Sequence, residues 1–212
     1  MKQTRKIPAV RRSVSGHISY RGEPIAFEST LERDFLIYHS FRDDVIDIVP
    51  QPISIPFKKN GRTYNYTPDY FVQVRSDLGR SLLVEVKPKI EWQENWRDWS
   101  NKWKAAMDFC KEQDFKFSIY DEDRIHHYAF ENLQFLAMYK NIAVSEDEVK
   151  AIIEDIRLRG FTTVEYILER YFKSDLYRQQ GRRLMWYLMI NKLIKFDIWS
   201  DVRSEKLEVW YE

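Results

Sequence analysis

The stretch from residue 66 to residue 88 constrains the fold more tightly than any other part of the chain. It reads as two runs of strand character, Tyr70-Phe71-Val72-Gln73-Val74 and Leu82-Leu83-Val84-Glu85-Val86, separated by the polar, glycine-bearing segment 76–80. Successive side chains of a strand point to opposite faces, so Leu82, Val84 and Val86 share one face and Glu85 and Lys87 the other. Closing the turn symmetrically sets Arg75 opposite Ser81 and therefore Asp69 opposite Lys87. In that register Tyr70, Val72 and Val74 join the apolar face of the second strand. Asp69, Glu85 and Lys87 are then gathered at one end of the sheet, and Pro88, which cannot donate to a ladder, ends the strand at once.

Two carboxylates and an ammonium at a sheet end suit phosphodiester hydrolysis. Hard oxygen donors hold Mg²⁺, which keeps most of its waters and takes one or two carboxylates together with phosphate oxygens. A lysine beside it can hold and help deprotonate an attacking water. Each residue also has a plainer use: an aspartate after proline often supports a turn, and Glu85 and Lys87 could form a solvated strand face paired with Asp69. Their convergence at a strand terminus, where functional groups are commonly presented, favours the chemical reading.

Around this core the sequence predicts further elements. Ser29-Thr30-Leu31-Glu32 has capping-box spacing and opens a helix with Leu31, Phe35 and Tyr38 on one face; read this way, Glu32 is a structural cap. Strands are expected over 45–49 and 53–57, broken by Pro50-Gln51-Pro52, and Asn60-Gly61 marks a tight hairpin. Trp92, Trp96, Trp99 and Trp103 form one stripe of a helix over 91–110, suited to packing on the sheet or, alternatively, to stacking on bases. Lys89, Arg97, Lys102 and Lys104 lie on or near it, within reach of phosphates beside the site. Residues 115–120 alternate as a strand, and 131–139 read as a helix closing the first domain. His126 and His127, read on a strand, point opposite ways, and His17 and His39 are isolated, so no zinc site is expected.

Pro68-Asp69, then Glu85-Val86-Lys87 after a gap of fifteen residues, resembles the PD-(D/E)xK nuclease signature. Together with the segments 28–35 and 45–52 and the lysine- and tryptophan-bearing helix, it resembles the TnsA-like endonuclease subunit of heteromeric transposases. The resemblance implies a restriction-endonuclease-like α/β fold, a mixed sheet flanked by helices. It implies a catalytic set of Glu32, Asp69, Glu85 and Lys87, with Glu28 in place of Glu32 if the alignment slips. Asp69, Glu85 and the Val86 carbonyl would ligate Mg²⁺, with Mn²⁺ able to substitute. Lys87 would position the water. The implied activity is cleavage of one strand at the 5′ ends of a transposon, with transposon-end DNA, a TnsB-like DDE transposase and a TnsC-like AAA+ regulator as partners. A stand-alone nuclease of restriction or junction-resolving type and a non-catalytic DNA-binding or assembly factor are the competing readings.

From Ser145 the pattern changes. Ser145-Glu146-Asp147-Glu148 and Thr162-Thr163-Val164-Glu165 each have capping-box spacing, and Gly160 ends the first of the two helices. A third helix is expected over 174–193 with Leu184, Met185 and Leu188 in its core face, followed by strands over 195–199 and 206–211. Three helices and a hairpin is the order of a winged helix, placing an endonuclease domain over 1–140 and a winged-helix domain over 141–212. Arg178, Arg182, Arg183 and Lys192 are its candidate phosphate contacts.

Whole-chain charge does not decide the partner, since Lys plus Arg number 34 against 33 Asp plus Glu. A basic arm, Lys2, Arg5, Lys6, Arg11, Arg12 and Arg21, precedes the first acidic residue, Glu23, and reads either as a phosphate contact or as a solvated tail. The single cysteine, Cys110, excludes an internal disulfide and fits a reducing compartment. With no apolar run of membrane-spanning length and no signal-like start, a cytoplasmic protein without membrane contact is expected.

Overall fold

The computed structural model describes residues 14–211, and within it the chain divides into two compact units between His126 and His127. The basic residues expected at positions 2–12 lie outside the described residues. In the first unit, the hairpin of β1 (Gly16–Tyr20) and β2 (Glu23–Phe27) leads into helix α1 (Thr30–Phe41). Ser29 caps α1 as the sequence predicts, its Oγ accepting the Glu32 N–H at 3.1 Å.

The central sheet is built from β3 (Val45–Pro50), β6 (Tyr70–Val74), β7 (Leu82–Val86) and β8 (Lys116–Tyr120), in the order β3-β6-β7-β8. Its first two pairings are antiparallel and the last is parallel, the connection being helix α2 (Lys89–Glu112). Beside it stands a separate two-stranded ribbon, β4 (Ile55–Lys59) and β5 (Arg62–Tyr66), turned at Asn60 and Gly61 with φ of 50° and 74°. Both central turn residues are left-handed, as a two-residue hairpin requires. The break expected at Pro50-Gln51-Pro52 is also present: Gln51 takes φ 44° and donates its N–H to the Asp69 carbonyl at 2.8 Å.

Alternation along β6 and β7 sorts the core into two layers. Tyr70, Val72, Val74, Val84 and Val86 pack with Phe35 and Leu36 of α1, while Phe71 and Leu83 on the opposite face pack with Trp103, Ala106 and Cys110 of α2. The sheet is covered on both faces, so Glu85 is buried and does not form the solvated strand face given as its plainer use. The register also differs from the symmetric closure: Tyr70 pairs with Val84 and Val72 with Leu82, two residues from the expected alignment. Asp69 therefore runs toward Glu85 and not Lys87. A slip of two preserves which face each side chain occupies, so the apolar set is unchanged. The expected burial of the tryptophan stripe holds for Trp103 and in part for Trp92 and Trp99, whereas Trp96 is 47% exposed.

His126 and His127 do not lie on a strand. They follow the short helix α3 (Glu122–Ile125), where His126 Nε2 meets Asp34 Oδ2 at 3.0 Å and His127 caps helix α4 (Tyr128–Ala137).

Helix α4 belongs with the second unit, which places the division earlier than residue 140. Leu136 is fully buried in that unit's core, and Asn132 Nδ2 donates to the carbonyls of Ile198 and Ser200 at 2.9 and 2.8 Å. Helix α5 (Glu146–Arg159) follows, capped by Ser145 and ended by Gly160 at φ 75°. Then come β9 (Phe161–Thr163), α6 (Val164–Tyr171), α7 (Asp175–Ile190), β10 (Lys195–Phe196) and β11 (Glu208–Trp210), the strands forming a sheet ordered β10-β11-β9. Thr163, not Thr162, caps α6, because residues 161–163 are taken up by a strand absent from the sequence reading. Leu184, Met185 and Leu188 are buried as expected. Among the described residues no helix is long and apolar enough to cross a membrane.

Arg178 and Arg182 of α7 both grip Glu205, Arg182 Nε donating to Oε1 at 2.7 Å, and these hydrogen bonds pull the Glu205 carboxyl down to about 2. A carboxylate depressed by folding adds stability that is complete above its ordinary value of 4.5 and fades as pH falls through the folded value. Glu205→Gln should therefore lower the melting temperature by a few degrees at pH 7, and the difference from the native protein should shrink steadily below about pH 4 in thermal scans.

Candidate active site

Asp69 and Glu85 lie close enough for the Glu85 charge to bear on Asp69, and each is held by a different element. Asp69 follows the buried Pro68 at the entrance to β6, and its Oδ2 accepts the Val86 N–H at 2.7 Å. Lys87, just beyond β7, brings Nζ to 4.0 Å from the same oxygen. Both side chains keep some contact with solvent, 22% for Asp69 and 28% for Lys87.

Glu85, only 2% exposed, sits deeper. Its Oε2 accepts the Tyr66 hydroxyl at 2.6 Å, and its Oε1 meets Lys102 Nζ at 2.9 Å. Tyr66 ends the ribbon strand β5, and Lys102 reaches in from α2 through a cage of rings, 4.9 Å from Tyr66, 4.6 Å from Trp99 and 5.8 Å from Trp103. Lys102, read from the sequence as a phosphate contact, is in the structure the counter-ion of Glu85. One signal was available. Lys102 stands three residues from Trp99 and beside Trp103, on the sheet-facing side of the helix rather than the solvated one.

Glu32 acts at the start of α1 and also reaches the sheet end. It closes the capping box, accepting from the Ser29 hydroxyl at 3.2 Å and the Glu28 N–H at 2.9 Å, and its Oε2 also accepts the Tyr70 hydroxyl at 3.0 Å. Through Tyr70, the residue after Asp69, the helix cap is wired to the sheet end. Glu32, Glu85 and Lys87 are the charges that bear most on Asp69, which favours Glu32 over Glu28 as the third acidic neighbour.

The electrostatics are unbalanced. Burial first, then the Glu85 and Glu32 charges, push the Asp69 carboxyl well above its ordinary value, against the opposing pull of Lys87 and the Val86 N–H. Burial works to lower Lys87, but Asp69, Glu85 and Glu32 together overcome it and raise it, so Lys87 stays an ammonium. Tyr66 and Tyr70, raised by burial and by their carboxylate partners, remain neutral donors. Three carboxylates thus share two lysines.

This donor set is one of hard oxygens with a deficit of positive charge, the composition that suits a hydrated divalent cation. Each carboxylate offers about four lone-pair sites, so Asp69 and Glu85 retain acceptor capacity beyond the bonds above. Among the described residues no three His, Cys, Asp or Glu side chains already stand gathered as a ligand cluster. A cation here would draw on Asp69 and Glu85 and keep most of its own waters.

Two outcomes follow from this geometry. Lys102→Met should destabilise the protein by about 3 kcal/mol in urea unfolding, because it leaves a buried carboxylate without its partner, while Lys102→Met/Glu85→Gln should recover much of that loss. Folding raises the carboxyl of Asp69, so its ionisation costs stability increasingly as pH climbs above the ordinary 3.8. Asp69→Asn should consequently melt higher than the native protein at pH 7–8, with the gap narrowing toward pH 4.

Comparison with known proteins places the site in context. Residues 42–122 match the family model described as TnsA-like endonuclease N terminal, a span that contains Asp69, Glu85, Lys87 and Lys102. The chain is also similar to the head completion nuclease of Enterobacteria phage T4, 26% identical over 135 residues, covering 52% of this chain and 89% of that protein. Both matches support a DNA endonuclease, and residues 42–122 are similar to the TnsA-like endonuclease N-terminal domains that the motif spacing resembles.

Proposed function

We propose that the protein is a Mg²⁺-dependent DNA endonuclease subunit of a heteromeric transposase, hydrolysing one strand at the 5′ ends of a transposon in concert with a TnsB-like DDE transposase and under a TnsC-like AAA+ regulator. The observation that carries the reading is the meeting of Asp69, Glu85 and Lys87 within the span matched to the TnsA-like endonucleases. Asp69 and Glu85, with the Val86 carbonyl, would hold the cation. When bound, it would supply Lewis-acid activation of water and charge neutralisation at the phosphate.

The chain's own groups fill the remaining roles. Lys87, an ammonium that is partly exposed and close to Asp69, donates to the attacking water or to a phosphate oxygen and stabilises the negative charge that builds in the transition state. Because its charge is reinforced by Asp69, Glu85, Glu32 and Glu91, it orients and stabilises rather than accepting the proton. Glu32 fixes Tyr70 and thereby the backbone leading to Asp69. Lys102 and Tyr66 set the orientation of the Glu85 carboxylate. Water attacks the phosphorus in line and releases its proton to solvent, the bond to the leaving sugar oxygen breaks, and that oxygen takes up a proton from solvent.

We read the second unit as a winged helix, supported by its element order α5-β9-α6-α7-β10-β11 and its three-stranded sheet. Two of the four cations expected to touch DNA, Arg178 and Arg182, are committed to Glu205, which leaves α7 less basic than its sequence suggests. The similarity to a phage head completion nuclease, which spans most of that protein but about half of this chain, favours a second reading, a nuclease that works without transposase partners. Partner dependence separates the two, since a stand-alone enzyme cuts DNA unaided.

Lys87→Ala and Asp69→Ala should each reduce Mg²⁺-dependent nicking of transposon-end DNA at least about 100-fold in the assembled system while the circular dichroism spectrum stays native. Full nicking by purified Asp69→Ala protein would refute the assignment.

A further inference from the structure

The ribbon β4–β5 is a feature that the proposed chemistry uses only at its base. It forms a two-stranded sheet of its own, paired with no strand of the central sheet. One face is anchored: Ile55 and Tyr66 are buried, Phe57 packs into the layer under α2, and Lys59 Nζ reaches the Asp98 carbonyl of α2 at 3.2 Å. The other face and the outer strand are open, with Pro56, Lys58, Arg62, Thr63, Tyr64 and Asn65 all exposed. From Gln51 to Pro68 the chain contains no Asp or Glu. The outward surface therefore consists of cations, amides and hydroxyls on a narrow, tightly turned tip.

We propose that this ribbon enters a groove of duplex DNA and seats the substrate beside the carboxylates. The proposal rests on the nuclease reading above. A two-stranded ribbon fits the major groove, about 12 Å wide. Lys58 and Arg62 supply phosphate contacts near the tip, and Asn60, Thr63 and Asn65 present polar groups able to meet phosphates or base edges. Protein interface cores are depleted of charge and rich in buried apolar anchors, which this surface is not, so nucleic acid suits it better than a protein partner.

Position supports the same conclusion. Tyr66, at the base of the ribbon, is bonded to Glu85, so the ribbon starts at the candidate site and its tip lies five strand residues away. At about 3.3 Å per residue that is roughly 15 Å. Along B-DNA, at about 3.4 Å per base pair, this corresponds to about four to five base pairs from the phosphate that is cut.

The test is duplex binding by the full chain, carrying Asp69→Asn to prevent cleavage and measured by fluorescence anisotropy across a salt series. Adding Lys58→Gln and Arg62→Gln should weaken binding about tenfold or more and make the slope of log affinity against log salt shallower by about 1.8, with the melting temperature unchanged. As a geometric readout, a photo-crosslinker on Thr63→Cys, three residues from Tyr66, should mark bases about three pairs from the cleavage position. Cys110, 2% exposed, does not compete for the reagent. Equal affinity and slope in the charge-removed protein, or crosslinks only at remote positions, would overturn the ribbon proposal and leave the nuclease reading standing. Failure of the parent protein to bind duplex even at low salt, with no Mg²⁺-dependent cleavage by the native chain and its partners, would overturn both.

Discussion

Placing several carboxylates close together in a partly buried sheet end is unfavourable, and much of the first unit is arranged to make it tolerable. Asp69 and Glu85 repel one another, and Glu32 adds to the repulsion. Each is restrained by a different device: a backbone N–H and Lys87 for Asp69, an aromatic-caged lysine and a tyrosine for Glu85, a helix cap and a second tyrosine for Glu32. The balance still leaves Asp69 with more negative surroundings than an isolated aspartate. A site with that imbalance stores an affinity for positive charge, which is what a phosphate-cleaving centre must offer a divalent cation.

The layering of the fold explains how these devices arrive at one place. Helix α1 covers one face of the sheet and contributes Glu32 from its first turn, while α2 covers the other and contributes Lys102 from its apolar side. The strands β6 and β7 present Asp69 and Glu85 at their adjoining ends, and the ribbon supplies Tyr66. No layer could be removed without leaving a buried carboxylate unpartnered. Stability of the unit and composition of its site are therefore the same set of contacts.

Much of this was legible in the sequence, and the places where it was not have physical causes. Period-two alternation fixed the faces of β6 and β7, and the Asn60-Gly61 turn and the Ser29 cap are local signals that tertiary packing did not override. The register did not follow, because a symmetric turn was assumed where the loop closes with the Ser81 hydroxyl accepting the Val74 N–H and the Gly79 N–H reaching the Arg75 carbonyl. Face assignment survives a shift of two, so Asp69 and Glu85 were brought together despite the slip. The bonds of Tyr66 and Lys102 to Glu85 were not legible, since they join different elements across 19 and 17 residues; the spacing of Lys102 from Trp99 marks its helix face but not its partner. Likewise α4 looks like a closing helix for the first domain; only the packing of Leu136 and Asn132 assigns it to the second unit.

The central claim is that burial and the neighbouring carboxylates hold Asp69 out of electrostatic balance, as the proposed cation site requires. Carboxyl carbon NMR of protein labelled at aspartate, titrated in pH with and without Mg²⁺, reads this directly. The account predicts a side-chain resonance for Asp69 that titrates well above the ordinary aspartate value of about 3.9 in metal-free buffer and moves sharply downward when Mg²⁺ is added. An Asp69 resonance that titrates at the ordinary value and ignores Mg²⁺ would contradict it.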